Sequence, residues 1–187
     1  GPTGDNSNYI GIDTFSYTPV PAVAADAALD FNADGKTDWI TVRNTGGGPT
    51  GQIGWFWNIN GAATPTSHYA WGIASDFFIS EDFDGDDKDD IAVWRPGAAT
   101  VAAFYILNSA TNTARVEAFG QTGDDPTMVD DYNGDNKADL CMFRQSIGNW
   151  NILLTDSNNP AGITKSFNWG WNQTKPVPGD YDGDGKV

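Results

Sequence analysis

Residues 131–144, DYNGDNKADLCMFR, decide the fold, because regularly spaced acidic and amide side chains lead directly into an apolar run. Three other segments repeat the first half of this pattern: 30–38 (DFNADGKTD), 82–90 (DFDGDDKDD) and 180–186 (DYDGDGK). The four segments begin 52, 49 and 49 residues apart. A repeat period near 50 residues favours one propeller blade per repeat over a helical solenoid.

The rest of each repeat predicts short strands. An arginine follows the last aspartate of the loop by five residues, at Arg43, Arg95 and Arg144. The intervening runs 39–42, 91–94 and 140–143 are almost wholly apolar, which is typical of strands buried on both faces. Second apolar runs follow at 55–59, 104–107 and 150–154, and third elements close on Trp71-Gly72, Phe119-Gly120 and Trp169-Gly170. The sequence therefore predicts an all-β fold with about four antiparallel strands in each propeller-type blade.

Composition and charge exclude several classes of protein. The chain has 187 residues, 25 acidic and 10 basic, and a formal charge of −15, which disfavours binding to nucleic acid. Hydrophobic residues make up 39% and aromatic residues 13%, too many for a disordered acidic tail. There is no apolar run of about 18 residues, so no membrane span is expected. Cys141 is the single cysteine and is interpreted as a small packed side chain.

The spacing Asp-x-Asp/Asn-x-Asp-x-x-x-Asp predicts calcium sites. Ca²⁺ takes six to eight oxygen ligands, and side chains at positions 1, 3 and 5 of a tight loop converge on one point. We expect the carbonyl of position 7 and the acid of position 9 to complete each site. The predicted ligands, each lysine acting through its backbone carbonyl, are Asp30, Asn32, Asp34, Lys36 and Asp38; Asp82, Asp84, Asp86, Lys88 and Asp90; Asp131, Asn133, Asp135, Lys137 and Asp139; and Asp180, Asp182, Asp184 and Lys186. Three sites are complete, and the fourth lacks position 9 in this chain.

Two other kinds of acidic loop do not fit. An EF-hand or dockerin-type loop needs its last acidic ligand at position 12, where this chain has Thr41, Val93 and Met142. Thrombospondin-like repeats would need paired cysteines. Asp, Asn and Gly also favour solvated turns without any metal, but four copies in register argue against that interpretation.

The two best-formed repeats, residues 82–95 and 131–144, make the chain resemble the FG-GAP or VCBS-type repeats of integrin α-subunit-like β-propellers. The resemblance covers about residues 24–187. It implies a propeller-type blade with calcium in the loop between its first two strands. Ala33 departs from the pattern, because the other three loops have glycine at that position.

The blade count leaves the assembly open. We expect three full repeats within 24–187, plus partial terminal blades, and residues 1–23 look like a segment carrying the last strand of a preceding blade. The chain could be part of a longer protein, or its N-terminal strand could complete the C-terminal blade and close a ring. Alternatively, the open ends could pair between copies as a ring or a filament.

These features lead to a functional expectation without catalysis. His68 is the single histidine and the Gly46–Gly51 region lacks the lysine of a phosphate-binding loop, so we expect no enzyme. We expect a secreted or cell-surface calcium-binding protein with a structural or adhesive role, whose partner is a protein or carbohydrate at the cell surface or a second copy of the chain. The alternative is a carbohydrate-binding module, free-standing or attached to a secreted glycan-active enzyme.

Overall fold

The computed structural model describes residues 27–59, 67–155 and 162–187, and within them the chain forms ten antiparallel β-strands and no α-helix. The strands are β1 (Trp39–Asn44), β2 (Gln52–Asn58), β3 (Ser67–Ile73), β4 (Phe77–Glu81), β5 (Asp90–Arg95), β6 (Ala103–Asn108), β7 (Thr113–Ala118), β8 (Leu140–Arg144), β9 (Asn149–Leu154) and β10 (Ile163–Asn168). The all-β prediction is confirmed. The strand predicted within residues 1–23 lies outside the described residues.

The strands form three sheets that follow the sequence repeats. Their orders are β1-β2-β3, β4-β5-β6-β7 and β8-β9-β10, so neighbours in the chain are neighbours in each sheet. The middle sheet has the predicted four strands, with the acidic loop 82–90 joining β4 to β5. Each arginine-bearing strand is followed by a hairpin partner, as the two apolar runs of the repeat predicted.

The third sheet lacks a regular first strand. Two isolated bridges, Asp125 to Phe143 and Asp130 to Asp139, take the place that β4 holds in the middle sheet. Pro126 follows the first bridge and has no backbone N–H to donate, so a continuous ladder cannot form through it.

Two apolar clusters hold the sheets together through opposite faces of β5. Ile91 and Val93 pack with Trp55 of the first sheet, whereas Ala92 and Trp94 pack with Leu140 and Met142 of the third. The middle sheet is therefore covered on both sides. Side chains alternate between the two faces of a strand, so a strand is covered on both sides only when the residues on both faces are apolar.

One strand departs from the prediction. Residues 39–42 were expected to be buried on both faces, but Trp39 is 74% exposed and the burial of β1 alternates. Trp39 and Thr41 hold the positions of Ile91 and Val93, and among the described residues no sheet covers that face of β1. The prediction is wrong here because burial depends on a neighbouring sheet as well as on an apolar run.

The sheets do not close on themselves within the described residues. A propeller arrangement is therefore left to the proposal below. No helix in the described parts of the chain is long and apolar enough to cross a membrane.

Candidate metal centre

Each acidic loop is shaped by its own first aspartate. In the loop 82–90, Asp82 Oδ1 accepts hydrogen bonds from the N–H groups of Asp84, Gly85 and Asp86, and its Oδ2 accepts one from Asp87 at 2.8 Å. Asp131 and Asp180 receive the same set in their own loops, and Asp30 receives a similar set. The carboxylate at position 1 thus folds the loop around itself.

Positions 4 and 6 of every loop have positive φ, which explains their residue types. Position 4 is Ala33, Gly85, Gly134 or Gly183, and position 6 is Gly35, Asp87, Asn136 or Gly185. Glycine, asparagine and aspartate adopt this left-handed conformation most readily. Ala33 is the exception, at φ 59°.

This local folding brings three carboxylates together in two of the loops. The oxygens of Asp82, Asp84 and Asp86 lie within 4.8 Å of one another, as do those of Asp180, Asp182 and Asp184. These two triplets could hold a metal ion. The other two loops have Asn32 and Asn133 at position 3, so an amide oxygen would have to replace a carboxylate there.

The triplet at 82–86 contains a buried oxygen without a hydrogen-bond partner. Asp84 Oδ1 is inaccessible to solvent and accepts no hydrogen bond, while Asp84 Oδ2 accepts one from Ala110 N at 3.1 Å. Burial raises the pKa of Asp84, and the carboxylates of Asp86 and Asp82 raise it further. A buried acceptor among like charges fits a bound cation, because a cation supplies both the missing partner and the missing charge.

The turn after β6 covers this triplet. Ser109 Oγ donates to Asp86 Oδ1 at 2.9 Å, and Ser109 N donates to Asp90 Oδ1 at 2.5 Å. The loop 180–187 has the same internal hydrogen bonds, but its three acids are exposed.

The predicted ligands at position 9 lie deeper, outside the two triplets. Asp38, Asp90 and Asp139 are at most 1% exposed, and each accepts a hydrogen bond from the N–H of position 2. Burial raises the pKa of Asp90 and that of Asp139 to about 6, although hydrogen bonds from Ser109 and Thr155 oppose this shift. Through Ser109 and Thr155, Asp90 and Asp139 anchor their loops to the hairpins that follow. Their contact with a metal, and that of the position 7 carbonyls, stays a prediction.

Two structural acids were missed from the sequence. Arg95 donates two hydrogen bonds of 2.8 Å to Asp76, and Arg144 pairs in the same way with Asp124. Asp76 and Asp124 each lie four residues after the glycine that closes an aromatic-Gly pair, and Thr174 holds that place after Gly170. This constant spacing of four residues was the sequence signal that could have identified Asp76 and Asp124. Arg95 and Arg144 are thus structural, and their partners lie outside the acidic loops.

The remaining candidate residues carry no visible chemistry. Cys141 is fully buried in an apolar cluster, which confirms that it is a packed side chain, and burial raises the pKa of its thiol to about 12. His68 is exposed and stacks on Phe56.

An open aromatic groove lies on the outer face of the third sheet. Its volume is about 870 Å³, and Trp150, Phe167, Trp169, Trp171 and Tyr181 contribute to its lining. Trp55, Phe104 and Trp150 hold the same register, each opposite the residue before an arginine. Trp55 and Phe104 are at most 2% exposed because the next sheet covers them, whereas Trp150 is only partly buried and the nearby Trp169 is 77% exposed.

Comparison of the chain with protein-family models, with curated proteins and with solved structures found no match. The resemblance to FG-GAP or VCBS-type repeats therefore rests on the residues of the loops and strands alone.

Proposed function

We propose that this chain is a secreted calcium-binding repeat protein of the FG-GAP or VCBS type, whose sheets are blades of a propeller and whose role is structural or adhesive. The observation that carries the proposal is the triplet of Asp82, Asp84 and Asp86 with the partnerless buried oxygen of Asp84. The proposal assigns no catalysis to the chain.

Calcium is favoured over other metals by the donor set. All side-chain donors in the loops are carboxylate or amide oxygens, which hard cations prefer, and there is no histidine or cysteine among them. Calcium also accepts the irregular geometry and high ligand number that a flexible loop can supply, whereas Mg²⁺ demands a near-ideal octahedron. We propose three complete sites and a fourth, in 180–187, that needs further ligands.

A structural role is supported by the position of the loops at the junctions between sheets. The N–H of Asp89 donates to the carbonyl of Asp30, and that of Ala138 donates to the carbonyl of Asp82. A cation bound in one loop therefore orders the backbone that holds the next sheet. Extracellular calcium modules bind at about 10⁻⁴–10⁻³ M, so millimolar calcium outside the cell would keep such sites filled.

The decisive experiment combines a calcium titration with thermal unfolding. We expect calorimetry to detect calcium binding in preference to magnesium, and excess chelator to lower the melting temperature. At tenfold excess over Kd each site contributes about 1.4 kcal/mol, and three sites about 4 kcal/mol. An unchanged melt in chelator, together with no heat of calcium binding, would refute the proposal.

A matched pair of variants tests the assignment of the ligands. Asp84→Asn removes a charge from the triplet, while Asp87→Asn removes the same charge from an exposed position 6 in the same loop. We expect Asp84→Asn to weaken calcium binding at this loop about tenfold or more and Asp87→Asn to change it by less than about threefold. Equal effects of the two variants on calcium affinity would mean that the net charge of the loop, and not ligation by Asp84, determines binding.

The aromatic groove supports carbohydrate binding as a second candidate function. Trp169 and Trp171 are 77% and 74% exposed, and flat exposed rings can stack on sugar faces. A glycan array with Trp171→Ala, and with Trp39→Ala as an equally exposed control on another sheet, tests it. Defined sugar specificity that is lost only in Trp171→Ala would favour a carbohydrate-binding module. No specificity would leave the groove as an uncovered sheet face.

A further inference from the structure

Successive acidic loops are joined by one recurring hydrogen bond. The N–H of position 8 in the following loop donates to the carbonyl of position 1 in the preceding loop, at 2.8 Å for Asp89 to Asp30, 2.7 Å for Ala138 to Asp82 and 3.1 Å for Val187 to Asp131. Position 1 folds each loop, and position 8 follows the predicted carbonyl ligand. The loops therefore form a continuous stack in which neighbouring metal sites share a backbone contact.

A lysine side chain crosses the same junction. A Cβ placed on Gly85 would lie 2.9 Å from Cε and 3.5 Å from Nζ of Lys137, which is position 7 of the next loop. A Cβ on Gly134 would likewise lie 2.6 Å from Cε of Lys186. The glycine at position 4 thus provides both the positive φ and the space for the lysine of the following loop.

The ammonium group of Lys137 lies beside the triplet of the preceding loop. Gly85, whose added Cβ would lie 3.5 Å from Lys137 Nζ, stands between Asp84 and Asp86 in that loop. Lys88, the lysine of that loop itself, pairs with Asp86 at 3.3 Å. A third lysine, Lys36, pairs with Asp34 in its own loop and is 68% exposed.

We propose that Lys137 is a built-in counter-ion for the metal site of the loop 82–90 and sets the affinity of that site for calcium. This inference rests on the proposed function, because it presumes that Asp82, Asp84 and Asp86 bind a cation. Without metal, the lysine neutralises part of the triplet. A divalent cation repels the ammonium group, and that repulsion weakens binding. The loop 131–139 therefore adjusts the affinity of the loop before it through Lys137, whereas Lys88 and Lys186 pair with acids of their own loops.

The test is a calcium titration of the full chain followed by NMR, with glycine labelled by ¹⁵N. Each loop carries its own reporter, because Gly35, Gly85, Gly134 and Gly183 each donate an N–H to the first aspartate of their loop. The variant is Lys137→Met, which keeps an apolar stem over Gly85 and removes the charge. The control is Lys36→Met, which makes the same charge change at position 7 of a loop with no preceding loop in the described residues.

We expect Lys137→Met to lower the calcium midpoint reported by Gly85 roughly three- to tenfold and to leave that of Gly35 unchanged. The difference should shrink in about 0.5 M salt, since the interaction is electrostatic, and Lys137→Arg should restore the original midpoint. An unchanged Gly85 midpoint in Lys137→Met, or an equal shift of the Gly85 midpoint in Lys36→Met, would overturn the inference while leaving calcium binding intact. If no glycine responds to calcium in the original chain, the proposed function itself fails.

Discussion

The loops 82–90 and 180–187 have nearly the same sequence and the same internal hydrogen bonds, but they differ in their surroundings. Asp82 is 8% exposed and the 109–110 turn covers its loop, whereas Tyr181 is 82% exposed beside three exposed acids. The shape of the loop is thus a local property of the repeat. The low dielectric environment that strengthens a metal site comes from residues about 25 positions away.

The sheets that follow these loops show the same contrast. Trp55 and Phe104, which hold the register of Trp150 in the first two sheets, are each covered by the next sheet. At the C-terminal end, the groove beside Trp150 is open. A repeat can therefore form its hairpins alone but buries its apolar face only against a neighbour.

The largest predicted effect is the difference in stability lost when a covered ring, Trp55, and an uncovered ring, Trp150, are each replaced by alanine. Trp55→Ala should destabilise the protein by about 3–5 kcal/mol, because Trp55 is 2% exposed within an apolar cluster. Trp150→Ala should cost about 1–2 kcal/mol, since that ring is only partly buried. Urea unfolding of both variants measures the difference. Equal losses would show that a further partner covers the C-terminal face in solution.

The second prediction concerns the anchor of the covered loop. Asp90→Ala should cost about 3 kcal/mol in calcium-free buffer, because the N–H groups of Phe83 and Ser109 would lose their acceptor. Asp184→Ala, in the exposed loop, should cost less than about 0.5 kcal/mol under the same conditions. Chemical unfolding with excess chelator keeps metal binding out of the comparison. A small effect of Asp90→Ala would mean that position 9 acts mainly as a ligand.

The sequence predicted what depends on local pattern and missed what depends on distant neighbours. Loop positions, strand positions and the all-β class follow from spacing and periodicity, which operate over a few residues. The exposure of Trp39 requires knowledge of which sheet lies beside which, and the pairing of Arg95 with Asp76 requires the register of β4 against β5. The partnerless oxygen of Asp84 could not be predicted from the sequence either, because the turn that buries it comes from the next hairpin.

The third prediction uses pH to separate buried from exposed acids. Burial raises the pKa of Asp90 and Asp139 to about 6, while backbone N–H groups lower the pKa of the exposed Asp180. A raised carboxyl pKa favours the folded state below the unfolded value near 4, and this contribution is lost as pH rises through about 6.

In excess chelator, the melting temperature should therefore rise as pH falls from 7.5 to about 5.5. Replacing both buried acids together, as Asp90→Asn and Asp139→Asn, should flatten this dependence, whereas Asp180→Asn should not. A melt that is independent of pH in the original chain would show that these two carboxyls titrate normally.

The smallest effect tests whether the loop shape is as local as the comparison implies. Ala33→Gly should stabilise the metal-free chain by about 0.5–1 kcal/mol, because Ala33 has φ 59° where the other loops have glycine. The reverse change, Gly134→Ala, should cost at least as much as this gain, because Gly134 has φ 80°. Thermal unfolding in chelator measures both variants. If Ala33→Gly is neutral or destabilising, the packing of its methyl group outweighs the backbone strain, and the loop is then shaped by its neighbours as well as by its own sequence.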